Sequence, residues 1–261
     1  MNLINNIIIP ILLILFLSID CKAKDIITIV YGSQYKPFSW GGDDLVAHGV
    51  QRDFVEEILV NRLGLTIKHE AYPWKRCQIY VENGEKDGFF TVTTNERKKF
   101  TITSSIPFYK TYFVMHTGKN NPNIALLNTV TSITDLEKMQ NLKHIYMRAS
   151  GWHKENLKRM KNVYEITDSS TIPLMLKMLR YDLYIEQEEM FRYQAKNMGV
   201  LEDVVTLDKP ILNVAAWHIF ISKKSRYQSI IPRINSMLLK LQKSGELEKI
   251  RIKIFRKNGI E

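Results

Sequence analysis

A short polar segment, Thr91 to Arg97, has the residue types of an anion-binding site. Thr93 to Glu96 fit a capping box, with Thr93 as the N-cap and the Glu96 side chain reaching back to it. Arg97 then lies in the first turn of a helix. Free N–H groups at a helix start attract anions, and a guanidinium offers a planar pair of donors that matches a carboxylate. The segment predicts a carboxylate half-site, unless Arg97 belongs to a solvated basic run with the two lysines after it.

Aromatic residues follow the first two predicted strands. Tyr35 and Phe38 come after one strand and Trp74 after the next, and ligands of open α/β sheets bind beyond the carboxyl ends of strands. An aromatic floor suits a ligand with an apolar or cationic portion. The alternative for each ring is ordinary core packing. Arg76 follows Trp74 closely and offers either a second positive contact or a surface ion pair.

A second candidate half-site lies where another predicted strand meets a predicted helix. Ser150 and Gly151 occupy this junction, and the hydroxyl and backbone N–H groups there are donors suited to the same anion. A plain N-cap serine is the competing interpretation.

These residues are positioned by an alternating series of strands and helices. Ile26 to Tyr31 is β-branched and aromatic with no charge, as expected of a strand buried on both faces. Val50 to Leu63 carries apolar residues at helical spacing and ends at Gly64. The order strand, helix, strand, helix predicts a parallel sheet with right-handed crossovers. The series continues with a strand over Leu65–Ala71, a helix over Pro73–Glu82 and a strand over Gly88–Val92.

A second series of elements follows a polar connection at Gly118 to Pro122, which suits a domain boundary. The strands predicted on either side of it are Thr111–His116, Leu142–Met147, Val163–Ile166, Leu183–Ile185 and Ala215–Ser222. The helices are Trp152–Met160, Ile172–Leu179, Ile230–Leu241 and Leu247–Phe255. With 261 residues, the chain is long enough for two domains, each with a core of its own.

The amino terminus predicts export to the periplasm. Ile7 to Leu17 is an almost unbroken apolar run, shorter than the roughly 20 residues that span a bilayer, and Cys21 and Ala23 are small residues suited to cleavage after Ala23. Residues 1–23 are therefore predicted to be a signal peptide, with an uncleaved anchor or a lipidated Cys21 as alternatives. After cleavage only Cys77 remains, and it is predicted to be a small packed hydrophobe.

The charge balance is basic, with 37 Lys and Arg against 27 Asp and Glu and a formal net charge of +10. Such a balance often indicates nucleic acid, but here the charges are dispersed and export separates the protein from nucleic acid. A solvated basic surface is expected, with steering of anionic ligands as the alternative.

Short motifs occur in a fixed order along nearly the whole chain after the predicted signal peptide. They are Tyr35 to Phe38, Pro73 to Arg76, Asp87 to Phe90, Thr94 to Arg97, Pro107 to Tyr109, Arg148 to Gly151, Arg180 to Leu183 and Ser244 to Leu247. In this order they resemble the extracellular solute-binding proteins of family 3, which are the polar amino-acid receptors of bacterial ABC importers.

The resemblance implies an α/β fold of the two-lobed periplasmic binding protein-like type II class, with two Rossmann-like lobes joined by two hinge strands. Thr111–His116 and Ala215–Phe220 would be the crossings. Lobe 1 would be discontinuous, residues 24–114 with 220–261, and lobe 2 would be residues 115–219. Hinge motion would enclose the ligand between the lobes.

The resemblance also implies roles for the candidate residues. Arg97 would clamp the ligand carboxylate, aromatic rings would line the first-lobe pocket, and the second half-site would complete the carboxylate site on closure, with Trp152 at the mouth. The full ligand-binding set is Tyr35, Phe38, Trp74, Arg76, Thr91, Thr93, Arg97, Ser150, Gly151, Trp152 and Gln187.

One departure from the family pattern concerns the ligand amine. Amino-acid-binding relatives place an aspartate for the α-ammonium where this chain has Gln187. Glu186 or Glu188 offers a carboxylate nearby, but strand alternation should point one or both away from the cleft. The cleft thus predicts a carboxylate ligand more firmly than an amino acid.

The predicted function is capture of a small polar ligand, an amino acid or organic acid, for the membrane permease of an ABC importer. A monomer without cofactor or metal is expected. One alternative is a ligand-sensing protein for a membrane receptor. Another is a dehydratase-type enzyme on the same fold, with Glu186, Glu188 or His153 as acid or base. No phosphate loop, zinc helix or nucleophile elbow occurs in the sequence, so catalysis is not expected.

Overall fold

A computed structural model describes residues 25–148, 150–210 and 215–260 of the chain. The predicted signal peptide, residues 1–23, lies outside these ranges and stays a prediction. None of the helices within the ranges has the length and apolar character needed to cross a membrane.

The strands of the described ranges form two large sheets and a small hairpin. In chain order they are β1 Ile26–Gly32, β2 Gln34–Tyr35, β3 Ser39–Trp40, β4 Thr66–Tyr72, β5 Gly88–Val92, β6 Thr101–Thr103, β7 Tyr109–Thr111, β8 Phe113–Gly118, β9 His144–Met147, β10 Val163–Ile166, β11 Leu183–Gln187, β12 Val204–Pro210 and β13 Ala215–Ser222. The first sheet has the order β4-β1-β5-β13-β6, with β7 also paired to β13, and the second has the order β10-β9-β11-β8-β12. The hairpin joins β2 and β3.

Both large sheets are mixed, although the alternation of elements predicted a parallel sheet. β1 is parallel to β4 and β5, and β9 is parallel to β10 and β11. β13 runs antiparallel to β5, and β8 runs antiparallel to β11 and β12. The chain enters β13 and β8 directly from the other sheet, without a crossover helix. Because parallel neighbours need such a crossover, these two strands run antiparallel to their neighbours.

The chain passes between the two large sheets at two places. β7 belongs to the first sheet and β8 to the second, and only Tyr112 separates them. The return runs from β12 to β13 through residues 211–214, which lie outside the described ranges. β13 pairs with first-sheet strands from Ala215 onward, so residues 215–219 lie in the first sheet and not with the second, where the predicted boundary put them.

Helices cover the faces of the sheets. They are α1 Val50–Val55, which continues as a π-helix over Glu56–Arg62, α2 Trp74–Asn83, α3 Asn95–Phe100, α4 Ile124–Leu127, α5 Ile133–Lys138, α6 Gly151–Asn156, α7 Ile172–Lys177, α8 Glu188–Asn197, α9 Ile230–Lys243 and α10 Glu246–Lys257. The last two helices are amphipathic and bury residues such as Ile234, Leu238 and Ile254. Phe255 in α10 meets Phe38 edge-on, with ring centroids 6.1 Å apart. The carboxy-terminal helices therefore complete the core of the first sheet, which begins some 200 residues earlier.

Cys77 in α2 is buried and free, as the sequence predicts. Its Sγ donates to the backbone oxygen of Tyr31 at 3.2 Å, which fastens α2 to β1.

Candidate ligand-binding cleft

A cavity of about 190 Å³ lies between the two large sheets. Residues of the predicted set that line it are Tyr35, Trp74, Thr91, Arg97, Ser150 and Trp152. Residues that the sequence did not place in the set, but that also line it, include Lys75, Phe113, Arg148, Glu186 and Trp217. The walls therefore come from both sheets, as expected of a cleft that opens between two halves of the molecule.

Arg97 is the central cation of the cavity. Its Nη1 donates to the Val92 backbone oxygen at 2.8 Å and to Thr91 Oγ1 at 3.3 Å, and its Nε donates to Gln78 Oε1 at 3.4 Å. The guanidinium carbon lies 5.1 Å from the centroid of the Trp74 ring, so the cation packs on an aromatic face. These contacts hold the fork of the guanidinium in one orientation.

The charge of Arg97 is buried without a charge partner. The residue is 3% exposed, and among the described residues no carboxylate lies within 4.0 Å of the guanidinium. Burial lowers the pKa of Arg97 to about 10, while Glu155 and Glu96 act in the opposite direction from farther away. A buried charge is costly unless it is paired. An anion that enters the cavity would supply the missing partner.

The helix that carries Arg97 starts one residue later than predicted. Thr94, not Thr93, is the N-cap, because its backbone is extended and its Oγ1 accepts from the Arg97 N–H at 3.3 Å. The position three residues after this cap is Arg97 itself, so Glu96 cannot close a capping box. Thr93 is half-buried and does not line the cavity. The anion site thus depends on the guanidinium of Arg97.

Of the aromatic residues predicted to line the pocket, two lie in the cavity wall and one lies in the core behind it. Tyr35 and Trp74 line the cavity, whereas Phe38 is fully buried behind it and stacks on Trp217, with centroids 6.0 Å apart and planes inclined by 7°. Trp217 itself faces the cavity, and its indole N–H donates to Thr111 Oγ1 at 3.0 Å. Phe38 therefore supports the wall that Trp217 forms.

On the second sheet, Glu186 is the carboxylate that faces the cavity. It is 4% exposed and accepts hydrogen bonds from Tyr35 Oη at 3.2 Å, Tyr184 Oη at 3.0 Å and the Gln187 N–H at 2.9 Å. Burial raises the pKa of Glu186 above its usual 4.5, although these three donors lower it. Since Tyr35 belongs to the β2 hairpin, the Tyr35–Glu186 bond joins the two sides of the cleft.

Gln187 and Glu188, the neighbours of Glu186, lie outside the lining. Gln187 is fully buried, and its Nε2 donates to Tyr35 Oη at 2.9 Å. Glu188 begins α8, where its half-exposed side chain lies 3.9 Å from Arg192. Of the two carboxylates considered as substitutes for the missing aspartate, only Glu186 reaches the cavity.

Ser150 lines the cavity, but its hydroxyl hydrogen is engaged. His153 Nε2 lies 2.9 Å from the Ile185 backbone oxygen, which can only accept, so this nitrogen carries the hydrogen. Burial lowers the pKa of His153 to about 4, which keeps the ring neutral and makes Nδ1 an acceptor. Ser150 Oγ, 2.7 Å from Nδ1, therefore donates to it. The Ser150 hydroxyl offers lone pairs rather than a hydrogen to any further partner.

The remaining predicted residues lie near the cavity without lining it. An added Cβ at Gly151 would come within 3.4 Å of Arg97 Nη2, so Gly151 leaves room beside the guanidinium. Arg76 is exposed on the outer side of α2, one residue after Lys75, which does line the cavity. Helical geometry explains this difference, because adjacent residues on a helix point about 100° apart.

The described part of the chain contains no group of three or more His, Cys, Asp or Glu side chains that could hold a metal ion.

Residues 27–257 match the family model of the bacterial extracellular solute-binding proteins, family 3. The chain belongs to this family. No curated protein matches the sequence significantly. Membership explains the two-sheet architecture and the cavity between the sheets, and it confirms the periplasmic binding protein-like fold that the ordered motifs predicted.

Several solved structures share this fold at low sequence identity. A histidine kinase sensor domain with similarity to periplasmic binding proteins has a TM-score of 0.72 at 14% identity, over 89% of this chain and 97% of that one. An amino acid ABC transporter substrate-binding protein from Streptococcus pneumoniae, bound to L-arginine, has a TM-score of 0.67 at 19% identity, over 92% and 98%. An ancestral amino acid-binding protein, a precursor of cyclohexadienyl dehydratase, has a TM-score of 0.65 at 20% identity, over 88% and 95%.

Proposed function

We propose that this protein captures a small carboxylate-bearing solute, an amino acid or a related organic acid, outside the cytoplasm and delivers it to the permease of an ABC importer. The observation that carries the proposal is the unpaired, buried guanidinium of Arg97 in the wall of the cavity. A carboxylate there would complete a bidentate pair in a site from which most water is excluded. Membership of family 3 supports the binding role.

Closure of two lobes on the ligand is part of the proposal. The lobes are the predicted ranges, residues 24–114 with 220–261 and residues 115–219, except that residues 215–219 pair in the first sheet and residues 113–114 in the second. Rotation would take place where the chain passes between the sheets at Tyr112. Contacts between the two sides, such as the Asn95 N–H to Glu155 Oε1 at 3.0 Å, would break on opening.

Glu186 is the proposed partner of an amino group, if the ligand has one. Its carboxylate faces the cavity from the side opposite Arg97, and its hydrogen bonds leave one oxygen with a single protein donor. A zwitterionic amino acid could then span the two charges. An acid without an amine would use Arg97 alone.

Thermal unfolding of the purified protein with amino acids, other carboxylates and amines tests the proposal. A ligand at a hundred times its dissociation constant should stabilise the folded state by about 2.7 kcal/mol. Carboxylates are expected to raise the unfolding temperature. If amines without a carboxylate raise it and carboxylates do not, the proposed ligand class is wrong.

A sensing role is the second candidate, favoured by the similarity to a histidine kinase sensor domain. In that case the closed form would be recognised by a membrane receptor instead of a permease. Genes for a permease and an ATPase beside the gene for this protein would favour import, and a receptor gene there would favour sensing.

Catalysis is the weaker alternative, and the similarity to an ancestral dehydratase precursor is its support. Glu186 and His153 are the acid and base candidates that face the cavity, whereas Glu188 does not. Incubation of the purified protein with cyclic and acyclic acids, followed by product analysis, checks this alternative. Turnover would contradict a purely binding role.

A further inference from the structure

We infer that the carboxylate ligand carries an uncharged ring as its body, an inference that rests on the proposed function and narrows it. The first observation is the placement of tryptophan. The chain has 4 tryptophans, and Trp74, Trp152 and Trp217 all line the cavity. Tryptophan exposes a large flat apolar face at little conformational cost. Such faces are complementary to planar groups.

These faces come from both sides of the cleft. Trp217 lies in β13 of the first sheet, in a stack that also includes Phe90, whose plane is inclined to it by 15°. On the other side, Trp152 stacks on Phe113 with centroids 4.4 Å apart and planes inclined by 6°. All four rings line the cavity. A ring-shaped ligand body can therefore meet aromatic surface from both sheets when the cleft is closed.

Aromatic faces bind both rings and cations, and the charges around the cavity decide between them. Among the residues that the structure describes, the lining carries three cations, Arg97, Lys75 and Arg148, and one carboxylate, that of Glu186. Arg148 is offset by Glu165 at 3.7 Å, but Lys75 has no carboxylate within 4.0 Å among the described residues. A cationic body would meet like charges, which cost binding energy. An uncharged ring meets no such penalty.

One aromatic face is also already taken by a cation. The Arg97 guanidinium covers Trp74 at 5.1 Å, so the ring most suited to a cationic ligand has its partner within the protein. The cavity thus differs in its demands from a site for L-arginine, the ligand bound by the Streptococcus pneumoniae protein. Two contacts define the ligand class. The carboxylate binds Arg97, and the ring packs among the tryptophans.

Titration calorimetry of the full chain with four small probes tests the inference. The probes are 3-phenylpropionate (acid with a ring), hexanoate (acid without a ring), L-arginine and benzylamine (ring without an acid). The ring acid is expected to bind about fivefold tighter than the open-chain acid, which is the fold-change equivalent to the roughly 1 kcal/mol that aromatic stacking adds beyond area burial. It is also expected to bind tighter than L-arginine and benzylamine.

Substitution of one ring separates stacking from general packing. Trp152→Leu, with Phe113→Leu as a second variant should the first not fold, is expected to lower affinity for 3-phenylpropionate more than affinity for hexanoate. Trp40→Leu is the matched control, because Trp40 is half-buried outside the cavity and stacks on His48. It should change neither affinity.

The outcomes separate the ring preference from the carboxylate site. Equal affinity for ring and open-chain acids, tighter binding of L-arginine, or failure of the ring acid to bind at millimolar concentration overturns the ring inference and leaves the carboxylate site standing. Tighter binding of benzylamine than of every acid overturns the carboxylate site as well. A ring preference that survives both Trp152→Leu and Phe113→Leu overturns the assignment of these walls as the ring site.

Discussion

Arg97→Met separates two effects of the buried guanidinium: its effect on the stability of the ligand-free protein and its effect on ligand affinity. Burial lowers the pKa of Arg97 from 12.5 to about 10. That shift, the net of desolvation and the opposing carboxylates Glu155 and Glu96, corresponds to about 3 kcal/mol against folding. The hydrogen bonds to Thr91, Val92 and Gln78 offset about 1 kcal/mol each. The two effects nearly cancel, so the ligand-free variant is expected to unfold within a few degrees of the wild type.

With ligand, the same substitution should have a large effect. Removal of one partner from a buried charge pair costs about 2 to 5 kcal/mol, which is at least about 30-fold in the dissociation constant. Arg97→Lys keeps the charge but loses the planar pair of donors, so it should bind with intermediate affinity. Lys98→Met is the control, because Lys98 is exposed on the same helix and outside the cavity.

Calorimetric titration and thermal unfolding, each with the tightest carboxylate from the ligand panel, measure the two effects on the same samples. An unchanged dissociation constant in Arg97→Met refutes the clamp. A ligand-free variant that unfolds far below the wild type would instead show that Arg97 is a structural residue, and that its desolvation and its hydrogen bonds do not cancel.

Three further predictions concern buried titratable groups. Burial lowers the pKa of His153 to about 4, so the contribution of this residue to the free energy of unfolding is fully present above pH 6.5. That stability is lost as pH falls toward 4, by up to about 3 kcal/mol, and urea unfolding of His153→Gln should show a shallower loss. Burial raises the pKa of Glu186, so its contribution is present below pH 4.5 and is lost as pH rises through the raised value. Glu186→Gln should therefore gain stability relative to the wild type between acid and neutral pH, again in urea. Burial raises the pKa of Cys77 to about 12, so peptide mass mapping should find it unmodified by thiol reagents in the native protein and modified in urea.

The architecture could be predicted from the sequence because its strongest elements have unambiguous patterns. β1 is an uninterrupted β-branched and aromatic run, and the sequence pattern predicts β13 at Ala215–Ser222, with both ends correct. Weakly patterned elements were missed. α8 begins with two glutamates and buries only Met190, Phe191, Gln194 and Ala195, so its charged residues hid the apolar stripe. β13 runs antiparallel to β5 because the chain enters it from the second sheet. No local sequence pattern indicates that passage.

Site residues could be predicted where they belong to an ordered motif. They could not be predicted where their position in the wall depends on how strands pack. Arg97 and Trp74 came from motifs, and both line the cavity. The choice between Glu186 and its neighbours depends on the phase of a short strand, β11, whose residues are all buried, so alternation of polarity gave no signal. Trp217 was predicted only as part of a crossing strand. Its position in the wall follows from the register of β13 against β5, which pairs it with Val92.

The interior position of β13 has a consequence for the order in which the molecule can form. This strand lies between β5 and β6, so the first sheet cannot be completed until the chain has been synthesised past Ser222. All strands of the second sheet come from one continuous stretch, Phe113 to Pro210. Contacts close in sequence form sooner than distant ones. During synthesis or translocation, the half that begins first is therefore expected to finish last, and its exposed sheet is the part that would need protection from aggregation.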